Sequence, residues 1–178
     1  MQDRSIPKRK AAAAAAEPAY FEREHRRLHA QLHAHLLDIV GGNFTRARLH
    51  LQRWRDALAV HIDVEESRLL PHLSAEARWP ARVYLLEHQR ILQLADAHTA
   101  RLQAVAAHPP HGARARREMA LALLDGAHAL RHVLEHHHQR EEMALAHELP
   151  AALQQATWAP GRRRKTPLSG RITPHRFS

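Results

Sequence analysis

Two segments of this chain carry one pattern. His61-x-x-x-Glu65-Glu66-x-x-Leu69 and His137-x-x-x-Glu141-Glu142-x-x-Leu145 agree at the histidine, both glutamates and the leucine. On a helix the histidine and the first glutamate lie one turn apart on one face. That face continues through Leu58 and Leu69 in the first segment and through Leu134 and Leu145 in the second, so it is a face that should be buried. A buried carboxylate without a partner is costly, and two of them facing each other in one core would be worse. No Lys or Arg stands on either stripe near Glu65 or Glu141, so the economical source of positive charge is a cation from solution.

The elements that must position these residues follow from the breakers. Ala, Leu, Arg, His and Glu dominate a chain with only 6 Gly, which favours helix almost throughout. One helix is expected from about Pro18 to Val40, ending at Gly41-Gly42, and a second from Asn43 or Thr45, which continues past Pro71 to about Ala77 if Pro71 kinks rather than ends it. Pro80 opens a third that lasts to about Ala107. After the turn His108-Pro109-Pro110-His111-Gly112, a fourth runs from about Ala113 to Leu149, and Ala151 to Trp158 adds a short helix. Four helices with short connections imply an all-α, antiparallel up-down-up-down bundle, whose sites are built from inward side chains on facing helices.

Every inward stripe includes a histidine. The second helix reads Leu51, Trp54, Leu58, His61, Glu65, Leu69, His72, and the fourth Leu123, Ala127, Leu130, Leu134, His137, Glu141, Leu145. The first reads Phe21, His25, Leu28, Leu32, Leu36, Ile39, and the third Leu85, His88, Leu92, Ala95, Leu102. His29, one turn after His25, competes with it. In the triplet His136-His137-His138, consecutive residues face different directions, so one inward ligand is expected there.

The chain has no cysteine, which excludes disulfides, thiolate zinc sites and a catalytic thiol, and leaves nitrogen and oxygen as metal ligands. Four imidazoles and two carboxylates exceed what one tetrahedral zinc needs and suit two metals bridged by the carboxylates, with a bridging hydroxide or oxide reducing the remaining charge. Imidazole with carboxylate and open positions suits iron, although manganese and zinc accept the same donors. The ferritin-like arrangement fits poorly: Glu22-x-x-His25 and Glu135-x-x-His138 fall on the first and fourth helices, and His61-x-x-x-Glu65 runs in the opposite order.

At these residues the chain resembles the hemerythrin-like, or HHE cation-binding, domain family. The resemblance spans about Tyr20 to Pro150 and rests on FEREHRRLHAQL, HIDVEESRLLP, LEHQRIL and HHQREEMALAHELP, in that order. It implies a non-haem di-iron centre, with His25, His61, His88 and His137 as nitrogen ligands and Glu65 and Glu141 as bridging carboxylates. Glu66 and Glu142, one position on, would point elsewhere, to the surface or behind the ligands. Oxygen-carrying members have two histidines a turn apart on the third helix, whereas His88 is followed by Leu92. The missing nitrogen speaks against reversible oxygen carriage and for more open coordination, toward which Tyr84 could reach. The family thereby implies a small ligand, dioxygen, nitric oxide or peroxide, that is bound or sensed. A peroxidase or nitric oxide reductase, or an iron store, would use the same apparatus.

The formal charge of +9 first suggests a nucleic-acid binder. Arg4, Lys8, Arg9 and Lys10 against Asp3, together with Arg162, Arg163, Arg164, Lys165, Arg171 and Arg176, account for all of it, and the body between is neutral. The expected organisation is therefore a basic, Ala-rich tail at 1–17, a bundle at 18–158 and a basic, disordered tail at 159–178. Nucleic acid or an anionic surface could be engaged through the tails alone. Ala11 to Ala16 after Lys8-Arg9-Lys10 faintly resembles a signal peptide, but Glu17-Pro18 interrupts it, and a cytoplasmic location without a membrane span is expected.

Overall fold

A computed structural model of the chain describes residues 20–158. The stretches expected as tails, 1–17 and 159–178, lie outside the described residues, as do 18 and 19. Every regular element among the described residues is helical: α1 Tyr20–Val40, α2 Phe44–Val64, α3 Ala81–Ala107, α4 Ala113–Gly126, α5 His128–Arg140, α6 Ala146–Glu148 and α7 Ala151–Trp158. Wider π-helical turns at Glu65–Leu69 and Glu141–Leu145 extend α2 and α5, and a 3-10 turn at Leu70–His72 follows the first of them. α1, α2 with its turns, α3, and the run from α4 to α6 form the four arms of a bundle.

Local chemistry sets the arm ends. Gly42 takes φ +69, a left-handed conformation that glycine adopts without a Cβ penalty, and the amides of Gly41, Gly42 and Asn43 close back onto the carbonyls of Leu37, Ile39 and Asp38. Pro80 sits extended just before α3, where its missing N–H costs nothing. Gly112, also left-handed at φ +84, precedes α4. Pro150 separates α6 from α7.

Packing shows that neighbouring arms alternate in direction. His25 and His88 lie near the starts of α1 and α3, His61 and His137 near the ends of α2 and α5, and all four converge. Each arm then passes from one apolar cluster to another across this polar layer. Leu28, Leu58, Ile91 and Leu134 belong to the larger cluster, which fills the long part of the bundle around Trp54. Phe21, Leu69, Tyr84 and Leu145 belong to the smaller one, at the bundle end. α7 closes that end, held by Gln154, whose side-chain amide donates to the carbonyls of Ala146 (2.7 Å) and Leu149 (3.0 Å).

Three expectations are corrected. The second arm does not run past Pro71 to Ala77: it ends in the 3-10 turn, Leu73 is extended, and His72 is exposed. Pro71 cannot donate to the ladder, so the helix stops there rather than kinking. The fourth arm is interrupted at Gly126-Ala127, where Arg101 Nη1 donates to the Gly126 carbonyl at 3.2 Å. The inward face of α3 is Tyr84, His88, Ile91, Ala95, His98, Thr99 and Leu102, not the line through Leu85, which is 42% exposed. No helix among the described residues is long and apolar enough to cross a membrane.

Candidate metal centre

The two copies of the repeated pattern fold alike. Each begins as regular α-helix at its histidine and widens at its first glutamate, with the Leu70 amide bonding back to the Glu65 carbonyl and the Ala146 amide to that of Glu141. These are i→i+5 bonds, and π-turns of this kind concentrate at functional sites. A wider turn rotates less per residue, so each histidine, its glutamate and the following leucine stay over one another. His61, Glu65 and Leu69 are all buried, as are His137, Glu141 and Leu145.

Both glutamates are fully buried, and each divides its two oxygens between helices. Glu65 Oε1 is 3.0 Å from His61 Nε2, and Glu65 Oε2 is 3.3 Å from His88 Nε2. Glu141 Oε2 is 3.2 Å from His25 Nε2, and Glu141 Oε1 is 3.3 Å from His137 Nε2 and 3.9 Å from His88 Nε2. All six residues singled out in the sequence therefore meet in one layer. Two groups in it have ligand atoms within 4.8 Å of one another: His25, His61, His138 and Glu141, and Glu65, His88, His137 and Glu141. Glu141 is common to both.

The outer nitrogens show which atoms are free to coordinate. His25 Nδ1–H donates to Glu142 (2.7 Å), His88 Nδ1–H to Glu66 (2.9 Å) and His137 Nδ1–H to Glu87 (3.1 Å), which Arg140 holds from its other oxygen at 3.0 Å. An ionised carboxylate only accepts, so the proton on each of these rings sits on Nδ1 and a neutral ring turns the Nε2 lone pair inward. Each lone pair then faces carboxylate oxygens. Nε2 of His25, His61, His88 and His137 and both oxygens of Glu65 and Glu141 are buried without a hydrogen-bond partner.

The electrostatics register the same demand for positive charge. Burial opposes the charged form of His88, yet the carboxylates of Glu141 and Glu65 facing it raise its pKa to about 10. His25 moves the same way, its burial outweighed by Glu141 and Glu142. Burial pushes Glu65 up, but His61, His88 and His137 hold it well below the usual carboxylate range. Burial and Glu65 push Glu141 up, and His137, His25 and His88 still bring it below its ordinary value. Two buried carboxylates thus favour the protonated forms of His25 and His88. A multivalent cation held by these residues would supply that charge and take up the orphaned lone pairs together.

Sequence reasoning missed several of these features. His138 is buried and joins the first group, although one inward histidine was expected from the triplet. His29 does not take the place of His25; it is exposed and stands behind His138, with His138 Nδ1 and His29 Nε2 3.0 Å apart. Glu87 gave no signal beyond its position next to His88. Tyr84 is fully buried in the end cluster with its hydroxyl unpartnered, and burial raises its pKa.

The bundle and its two His/Glu clusters are consistent with a hemerythrin-like di-iron fold. No family model, curated protein or solved structure matches the chain. The hemerythrin-like reading therefore stands on the geometry: four antiparallel arms, a histidine from each, and two carboxylates shared between helices.

Proposed function

We propose that this chain is a non-haem di-iron protein that binds or senses a small ligand, dioxygen, nitric oxide or peroxide, at an iron pair held by His25, His61, Glu65, His88, His137 and Glu141. The observation that carries this reading is the way Glu65 and Glu141 each offer one oxygen to a histidine of one helix and the other to a histidine of a second. Carboxylates so placed could be shared by two ions, whereas a single tetrahedral ion would leave donors unused. When bound, an iron pair supplies redox equivalents to a small ligand.

The protein's own part is to hold that chemistry in a dry, shaped site. Glu142, Glu66 and Glu87 fix the histidine tautomers and ring orientations from behind. Leu28, Leu58, Ile91 and Leu134 on one side, and Phe21, Leu69, Tyr84 and Leu145 on the other, exclude bulk water and raise the strength of every charge interaction between them. The bundle over residues 20–158 acts as one module of a cytoplasmic protein.

Elemental analysis of untagged protein, paired with absorption spectra before and after reduction and re-exposure to air, tests the reading. About two irons per chain, with near-ultraviolet charge-transfer bands lost on reduction, is the expected result. A single zinc per chain, or no stoichiometric metal, overturns it.

A further inference from the structure

Resting on the di-iron reading, we propose that His138 is a fifth nitrogen ligand, which joins His25 and His61 on one metal position and leaves the small ligand to be taken at the other, between His88 and His137. His138 lies in the middle of the fourth arm with 3% exposure, and its Nε2 is buried without a partner. Its ligand atom lies within 4.8 Å of those of His25, His61 and Glu141. Its Nδ1 is occupied by His29 Nε2 at 3.0 Å. When His138 Nδ1–H donates to that nitrogen, the Nε2 lone pair is free to coordinate, which is the arrangement Glu142 enforces on His25.

Packing alone does not account for this side chain. The His138 ring stacks on His25, with centroids 3.8 Å apart and planes 6° from parallel, and stacking would serve an apolar ring as well. An imidazole in that place leaves a polar nitrogen desolvated, and a metal is what the neighbouring donors could share with it.

With His138 counted, the two positions are unequal. The first draws on His25, His61, His138, Glu65 Oε1 and Glu141 Oε2; the second on His88, His137, Glu65 Oε2 and Glu141 Oε1. Leu92, one turn after His88 and half-buried, adds no donor at the second position. The open coordination therefore falls at the end where α3 contributes a single imidazole.

Iron-57 Mössbauer spectra, iron content and azide binding, used as a probe of open coordination, decide the matter in wild type, His138→Ala and Leu92→His. The expected wild type has about two irons in two distinct environments of equal weight. His138→Ala should bind iron at one position at least about tenfold more weakly and shift one of the two signals while leaving the other in place. Two irons in His138→Ala with both signals unchanged would overturn the assignment of His138 while leaving the di-iron reading intact. Absence of stoichiometric iron in wild type would overturn both. Leu92→His keeps the test decisive if His138→Ala does not fold: with His138 filling the first position, a new imidazole at the second should abolish azide binding. Azide binding that persists in Leu92→His at full iron content would mean that the first position is open, against the proposal.

Discussion

Trp158 stacks on His61, with ring centroids 5.4 Å apart and planes 25° from parallel. His61 differs from the other three histidines of the original set in having no protein partner on Nδ1. Its outer face is covered by an indole instead of a carboxylate, and the same indole packs edge-on against Phe21 at 6.2 Å. The last turn of α7 thus shields the metal layer where the second arm ends. Trp158→Ala should leave the metal content near that of wild type and admit water to His61. The measurable consequence is faster oxidation of the reduced protein in air, followed by the return of the charge-transfer bands, by several-fold. An unchanged oxidation rate would show that α7 closes the end of the bundle without protecting the site.

The carboxylates behind the histidines should grade metal affinity. Glu142 makes the shortest of these contacts, 2.7 Å to His25, and its side chain is 33% exposed; Glu66 lies 2.9 Å from His88 with 41% exposure. Replacing such outer partners typically costs ten- to a hundredfold in metal affinity (roughly). Glu142→Gln should therefore weaken iron retention against a chelator more than Glu66→Gln, because solvent can replace the more exposed partner more readily. Chelator competition on the two variants, side by side, gives the order.

Removing a bridging carboxylate should do more than weaken binding. Glu65→Ala deletes oxygens shared by His61 and His88, so on the di-iron reading both metal positions would lose a donor at once. Metal that binds the folded state stabilises it by about 2.7 kcal/mol at a free concentration a hundred times its Kd. Thermal melts with and without iron should show that stabilisation in wild type and none in Glu65→Ala. An equal iron-induced rise in Tm for both proteins would place the ion elsewhere.

Most arm ends, though not that of the second arm, and the inward placement of the six His and Glu residues that meet in one layer were legible in the sequence, because breakers and mixed stripes are local signals. Gly41-Gly42, Pro80, the Pro109-Pro110 turn and Pro150 all mark boundaries by backbone chemistry that needs no tertiary context. The rotation of α3 was not legible. Tyr84-Leu85-Leu86 and Ile91-Leu92 offer apolar residues on neighbouring faces, and packing chose Tyr84 and Ile91. The break at Gly126 was hidden because glycine is tolerated inside a helical pattern; a Cβ there would lie 2.6 Å from Arg101 Nη1, the far end of a flexible side chain that can swing aside, so space alone does not demand glycine. His138 was hidden by the assumption of a regular helix with a narrow buried stripe. The fourth arm buries both His137 and His138, and adjacent residues can share a site when helices from two sides enclose the same layer.

A second buried histidine pair makes stability depend on pH independently of the metal layer. His35 and His98 lie ten residues beyond His25 and His88, about 15 Å further along their helices, and are 0% and 1% exposed. Their Nε2 atoms are 2.8 Å apart, and His35 Nδ1–H donates to the Ala47 carbonyl at 2.9 Å. Burial, followed by His35 and Arg101, lowers the pKa of His98 to about 4, and burial lowers that of His35. In the unfolded chain His98 takes up its proton near the ordinary value of 6.5, so between that value and about 4 the unfolded state binds more protons. The stability that the neutral ring contributes is complete above 6.5 and is lost as pH falls toward 4, by about 3 kcal/mol in all. His98→Gln keeps a hydrogen-bonding group facing His35 and cannot titrate. Denaturant unfolding at pH 7 and near pH 4 should show a smaller loss of stability in the variant than in wild type, by up to that amount. The metal layer's own acid sensitivity is common to both proteins and cancels in the difference. Equal losses would mean that His98 is protonated in the folded protein or reached by water, and that the pair does not hold the neutral form its burial requires.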